Sequence, residues 1–282
     1  MRQISLSLVR RLSALCLAGV LGMTAKAEEG GHPGLTEIIS KVRENVESLR
    51  ERLPDFVCKE DLSVRESDND KTIEEKHFLV SLQVIRQTHD SANRFSESRD
   101  VIAATINGKT VGPHKYAPPV HWIRGGFVRD IFTLFDETAF RCYDFTPADT
   151  SGMTESNTLV LSASIRKAQS PDADCTHLPA ELSSARIWID LKAFQVVRIE
   201  EGAMHETQFS TPFAHSNGEY TYAPVIEYSP VRIHDVDYWL PRFKRADFIK
   251  SNGRHSFSYM SQYSDYHKFE TSITIRTVSE VN

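Results

Sequence analysis

Gly108-Lys109-Thr110 has the ending of a phosphate-binding loop. That loop needs another glycine five residues before Gly108, a strand ahead and a helix behind. Position 103 is alanine, and the flanks alternate as in a hairpin, so nucleotide binding is not expected. His205-Glu206 opens like a zinc-protease helix, but the second histidine would stand at 209, which is Phe209. The remaining histidines, among them His114, His121, His177, His215, His234 and His255, are scattered, and His234-Asp235-Val236-Asp237 reads as a polar strand connection rather than a ligand set. No G-x-S-x-G elbow occurs. Cys58 as a nucleophile would need a nearby base and a depressed pKa; its neighbours Phe56 and Leu62 place it on a buried face instead. The carboxylate pairs Asp235/Asp237 and Glu200/Glu201 have no readable glycosidase separation. No catalytic residue, metal ligand or cofactor is therefore assigned, and a hydrolase with an unrecognised site stays only as an alternative.

The aromatics carry more information. Trp188, Tyr220, Tyr222, Tyr228, Tyr238, Trp239, Tyr259, Tyr263 and Tyr266 crowd the C-terminal half. Such residues suit any pleated surface. On a concave sheet the same residues would receive an apolar ligand, and on that reading the binding set is Trp188, Tyr220, Tyr222, Tyr228 and Trp239.

These side chains must be positioned by a sheet. Ala185 to Gly202 reads as two short strands and a tight turn at Lys192-Ala193, with Ile187 and Ile189 on the face opposite Trp188. Phe56, Cys58, Leu62 and Val64 share one parity while Lys59, Asp61, Ser63 and Arg65 share the other, which is a strand with one buried face. Phe78, Val80, Leu82 and Val84 repeat the pattern after the turn residues Ser67 to Asp70. Asn107-Gly108 marks a two-residue hairpin within Val101 to Val111. Further strands are expected at Ala139–Phe145, Leu159–Ile165, Tyr220–Ile233, Tyr238–Ile249, His255–Tyr266 and Thr271–Val278, with a Pro-rich loop at Gly112–His121 and a longer loop at Gly202–Gly218. Leu35, Ile38, Ile39, Val42, Val46, Leu49 and Leu53 form a helical stripe that ends at Pro54. A second short helix is expected within Trp122–Glu137. The fold class is α+β: a large curved antiparallel sheet, an open half-barrel of about 11 strands, with two packed helices.

The chain opens with Arg2, Arg10 and Arg11, continues with the apolar run Leu12 to Thr24, and reaches the small-x-small site Ala25-Lys26-Ala27. That order predicts a signal peptide over residues 1–27 and one β-rich domain over 28–282, periplasmic or secreted, with no membrane span after cleavage. Leu15 before Cys16 does not fit a lipidation site. Removing Arg2, Arg10, Arg11 and Lys26 from 33 basic residues leaves 29 against 38 acidic ones, a net charge of −9. A nucleic-acid partner is disfavoured, as is an anionic membrane surface. Cys58, Cys142 and Cys175 remain, enough for one disulfide and one thiol. Cys142 and Cys175 flank the strand expected near Asn157–Arg166 and are the expected pair.

Leu53-Pro54-Asp55-Phe56-Val57-Cys58, Ile187-Trp188-Ile189-Asp190, Val196-Val197-Arg198-Ile199-Glu200 and Tyr238-Trp239-Leu240-Pro241 together resemble a family of uncharacterised secreted bacterial proteins. The last three segments are also similar to the periplasmic lipoprotein-carrier (LolA/RseB-like) superfamily. That resemblance implies a half-barrel closed on one side by helices, with a concave face for acyl chains or lipoproteins. The 202–218 insert and the extra cysteines depart from the simple carrier pattern, and no lipid-site residue is carried over. The expected function is a non-enzymatic envelope protein that binds a lipid, a lipoprotein or another apolar ligand. The alternative is an envelope sensor or interaction module with another envelope protein as partner.

Overall fold

The computed structural model describes residues 34–87, 95–112, 127–148, 157–166, 175, 178, 182–210 and 215–269. The expected signal peptide, most of the Pro-rich loop and the Thr271–Val278 strand lie outside them, as do His114, His121 and His177. The described residues from Leu35 onward gather into one compact unit.

Helix α1 (Leu35–Arg52) buries Ile38, Ile39, Val42, Val46 and Leu49. Glu37 in its first turn and Arg50 and Arg52 in its last complement the helix dipole. Strands β1 (Phe56–Asp68) and β2 (Lys71–Arg86) follow as one long hairpin. Asn69 and Asp70 make its turn, both in the left-handed region at φ 48° and 62°, the geometry a two-residue turn needs to match strand twist. Asn107 and Gly108 do the same between β3 (Phe95–Ile106) and β4 (Lys109–Val111). Two short helices come next, α2 (Arg129–Phe135) and α3 (Glu137–Phe140), then β5 (Tyr143–Pro147), β6 (Thr158–Ile165), β7 (Ser184–Asp190) and β8 (Gln195–Glu201). Asp190 Oδ1 accepts from the N–H groups of Lys192 and Ala193 at 2.8 and 2.7 Å, so the Trp-Ile-Asp segment ends in turn chemistry. The chain continues through β9 (Met204–Ser210), β10 (His215–Tyr222), β11 (Val225–Ile233), β12 (Val236–Lys250) and β13 (His255–Lys268).

All pairings are antiparallel. The sheet runs β4-β3-β2-β1-β13-β12-β11-β8-β7-β6-β5, an open path of 11 strands, with β10 on β12 and β9 on β10. The expected α+β sheet with packed helices is this arrangement. Three details differ from the expectation. The Gly202–Gly218 loop contains β9 and the start of β10; its polar sequence lacks the alternation that marks a strand. The single strand expected over Tyr220–Ile233 breaks at Ala223-Pro224. Pro224 has no N–H for a ladder, and its carbonyl accepts from Glu201 N–H at 2.9 Å instead. The segment from Ala139 is helical at first, and the strand begins only at Tyr143. The Cys142–Cys175 disulfide is present, with Cα atoms 5.7 Å apart, and no helix of the described residues is long and apolar enough to cross a membrane.

Strand parity gives the sheet an inner face, on which α1 packs, and an outer one. One apolar cluster joins α1, α2 and α3 to the inner face through Phe56, Cys58, Leu82, Leu161, Ile187, Ile199 and Tyr228 among others.

Candidate functional site

Along β1 the inner-face positions are Phe56, Cys58, Glu60, Leu62 and Val64, all buried. Phe56 and Cys58 belong to the helix-covered cluster. Leu62 and Val64 belong to a second one with Phe78, Val80, Tyr220, Tyr222, Phe248, Phe257 and Tyr259. Glu60 stands between, wholly buried. Arg99 of β3 donates from Nε to Glu60 Oε2 at 2.8 Å and from Nη1 to Glu97 Oε2 at 3.2 Å. Ser261 of β13 donates its hydroxyl to Glu60 Oε1 at 2.7 Å, and Phe127 N–H donates to Glu97 Oε1. Lys244 of β12 reaches Asp130 of α2 at 3.4 Å, both side chains about 2% exposed. A belt of charge thus crosses the inner face and separates two apolar surfaces.

The belt's electrostatics follow from burial and pairing. Burial pushes the Glu97 carboxyl up, against the pull of Arg99. Burial also opposes the charge on Arg99 and Lys244, but Glu60 beside the first and Asp130 beside the second hold both above their ordinary values. They are fixed cations. Burial pushes the Tyr228, Tyr259 and Tyr263 hydroxyls well up, so they act as neutral phenols. The Cys58 thiol is raised by burial first and by Glu60 second, the opposite of what a nucleophile requires.

The second cluster is the aromatic one. Tyr222 stacks on Phe248 at 4.5 Å between centroids, Phe248 lies 6.0 Å from Tyr259, and Tyr220 lies 6.1 Å from Phe257. These are the offset and tilted arrangements that aromatic rings favour. Among the described residues none of its members comes from a helix, and its aromatic rings are buried.

The structure divides the five aromatics singled out from the sequence. Tyr220 and Tyr222 lie together in the second cluster. Tyr228 sits in the first, near Asp130 and Glu201. Trp239 is half-buried against the first cluster. Trp188 is on the outer face, where Arg198 lies over its ring at 5.2 Å. Phe248, Phe257 and the charged belt were not among the sequence candidates. Glu60 had a visible signal, because it occupies the apolar parity between Cys58 and Leu62. Phe248 and Phe257 had none beyond alternation.

The other candidates have structural placements. Glu200 and Glu201 project to opposite faces: Glu200 pairs with Arg198 outside, and Glu201 is buried inside. Asp237 forms a two-armed pair with Arg232 at 2.9 and 3.1 Å on the surface. His234 occupies the β11–β12 turn at φ 53°. His255 pairs with Glu66 at 3.1 Å. His205 and His215 lie on β9 and β10. Among the described residues no group of three His, Cys, Asp or Glu could hold a metal.

No protein-family model matches the chain, and no curated protein matches it either. Solved structures do show a likeness. One is a domain attributed to an outer membrane lipoprotein-sorting protein from Vibrio parahaemolyticus, 10% identical, with 83% of this chain and 93% of that one covered and a TM-score of 0.41. A LolA superfamily protein from Nitrosomonas europaea is 14% identical over 84% and 94%, with a TM-score of 0.33. A DUF1329 family protein from Desulfovibrio piger is 7% identical over 84% and 95%, with a TM-score of 0.34. The chain is distantly similar to these folds. TM-scores below 0.5 carry no inference of ligand or activity, which must come from the residues.

Proposed function

We propose that this is a non-enzymatic binding protein of the cell envelope that takes an apolar group, of the acyl-chain kind, onto the inner face of its sheet. The observation that carries this reading is the second aromatic cluster. The helices roof one apolar surface of the inner face, and the charged belt ends that surface. The other, with Tyr220, Tyr222, Phe248, Phe257 and Tyr259, draws no member from a helix among the described residues, and its five rings are buried, so a ligand would take its place by parting this cluster. Aromatic walls with a few polar groups at one end are the usual lining of a site for an apolar ligand. Neutral tyrosine hydroxyls and the belt would meet the polar end of such a ligand.

The reading is supported by the signal-like N-terminus and by the Cys142–Cys175 disulfide, which suits an oxidising compartment. It is tested by isolating the protein from the envelope, extracting it with organic solvent and analysing the extract by mass spectrometry. An acyl-bearing species in stoichiometric amount is expected, along with displaceable binding of an apolar fluorescent dye. No extractable lipid and no dye binding would overturn the proposal.

A further inference from the structure

The outer face carries a site of different chemistry. Arg198, Glu227, Phe243 and Gln262 stand in one registered row across β8, β11, β12 and β13. Arg245 is in the next row of the same face, opposite Val225. Two residues of one strand three positions apart normally face opposite sides. The register shift in β12 opposite Glu227 and Tyr228 adds Arg242 to the strand there and brings it to Glu227, 2.9 Å away. A bulge that re-aims a side chain is a recurrent feature of binding sites. Together these side chains line a depression of about 440 Å³.

The geometry points to this depression as a binding site for a phosphate group. Three guanidiniums and one carboxylate line it, and with Glu200 paired to Arg198 beside them the cluster keeps one net positive charge, which suits an oxyanion. Glu227 organises the site without neutralising it: it holds Arg198 at 3.3 Å and Arg242 at 2.9 Å. Arg198 is further fixed between the Trp188 ring and Glu200. Arg242 gives one arm to Glu227 and is otherwise exposed. Arg245 is exposed and has no ion-pair partner among the described residues. The Gln262 amide adds a neutral donor. Planar, multi-donor guanidiniums fit tetrahedral oxyanions through paired hydrogen bonds. The depression is open to solvent, so binding is modest and falls with salt. It lies on the face opposite the aromatic cluster and does not depend on the inner-face reading.

Inorganic phosphate titrated calorimetrically into the full chain at low ionic strength tests the site, with chloride at matched ionic strength as the control. One-site saturation is expected with a dissociation constant on the order of 1 mM or tighter. The double variant R242Q/R245Q is expected to weaken it at least about tenfold, as loss of charge-assisted hydrogen bonds predicts. Its melting temperature should stay unchanged, since both side chains are exposed. Vesicles with and without phosphatidic acid then separate the sources. Displacement of phosphate by the acidic vesicles assigns the site to a lipid headgroup, and indifference assigns it to free phosphate or a soluble ester. The absence of saturable phosphate binding, or equal binding by the double variant, overturns the proposal.

Discussion

Glu97 accepts hydrogen bonds from the Arg99 guanidinium and the Phe127 N–H in a place where burial works against its charge. Its folded pKa is raised above the ordinary 4.5, so the folded chain holds this proton more tightly than the unfolded chain does. The resulting stabilisation is complete below pH 4.5 and is lost as pH climbs through the raised value. Glu97→Gln removes that dependence while keeping an acceptor. The difference in unfolding free energy, wild type minus variant, is expected to fall with rising pH from the acid range toward neutrality in urea titrations; a flat difference would refute the assignment. Arg99 sets the larger effect. Arg99→Met leaves Glu60, with no exposed surface, and Glu97 without their shared cation, and a loss of about 3–5 kcal/mol is expected by chemical denaturation. Glu60 was readable from parity alone. Arg99, 39 residues away and two strands over, was not, because its position depends on the register of two hairpins.

At the scale of elements, the hairpins were the legible part. Asn107-Gly108 and Ser67 to Asp70 fixed their turns, and the α1 stripe, with Pro54 behind it, fixed a helix to within a residue. The β9–β10 pair was missed because its polar sequence hides a strand, and the Pro224 break lay inside a run whose apolar residues continue on both sides. Short elements close the two ends of the main strand path: β4 has three residues, and β5 has five and finishes at Pro147, which limits pairing with other chains at those two edges; among the described residues β9 pairs with β10 alone. The disulfide anchors the β5 end, since Cys142 directly precedes that strand. It closes a loop with a sequence separation of 33, and its removal by C142S/C175S is expected to cost about 3–4 kcal/mol, chiefly through the freed unfolded chain. Equal melting temperatures for the variant and the parent under non-reducing conditions would show that the bridge does not stabilise.

At the scale of the molecule, one open sheet presents two chemically different faces. The inner face holds a helix-roofed core, a belt of fixed charge and a buried aromatic cluster beyond it. The outer face holds the Trp188–Arg198 stack and the arginine depression. Alternation along the Ala185–Gly202 hairpin separated Ile187 and Ile189 from Trp188, but which side was inner depended on where α1 packs, a long-range contact that no local pattern encodes. The central claim is that an apolar ligand lies on Tyr220, Tyr222, Phe248, Phe257 and Tyr259. The most direct test is photo-cross-linking of the full chain with a photoactivatable acyl chain, mapped by peptide mass spectrometry. Labels concentrated on Tyr220–Tyr222, Phe248 and Phe257–Tyr259, and reduced by excess unmodified acyl chain, are predicted; labels around Trp188 on the outer face, or none above background, would contradict the account.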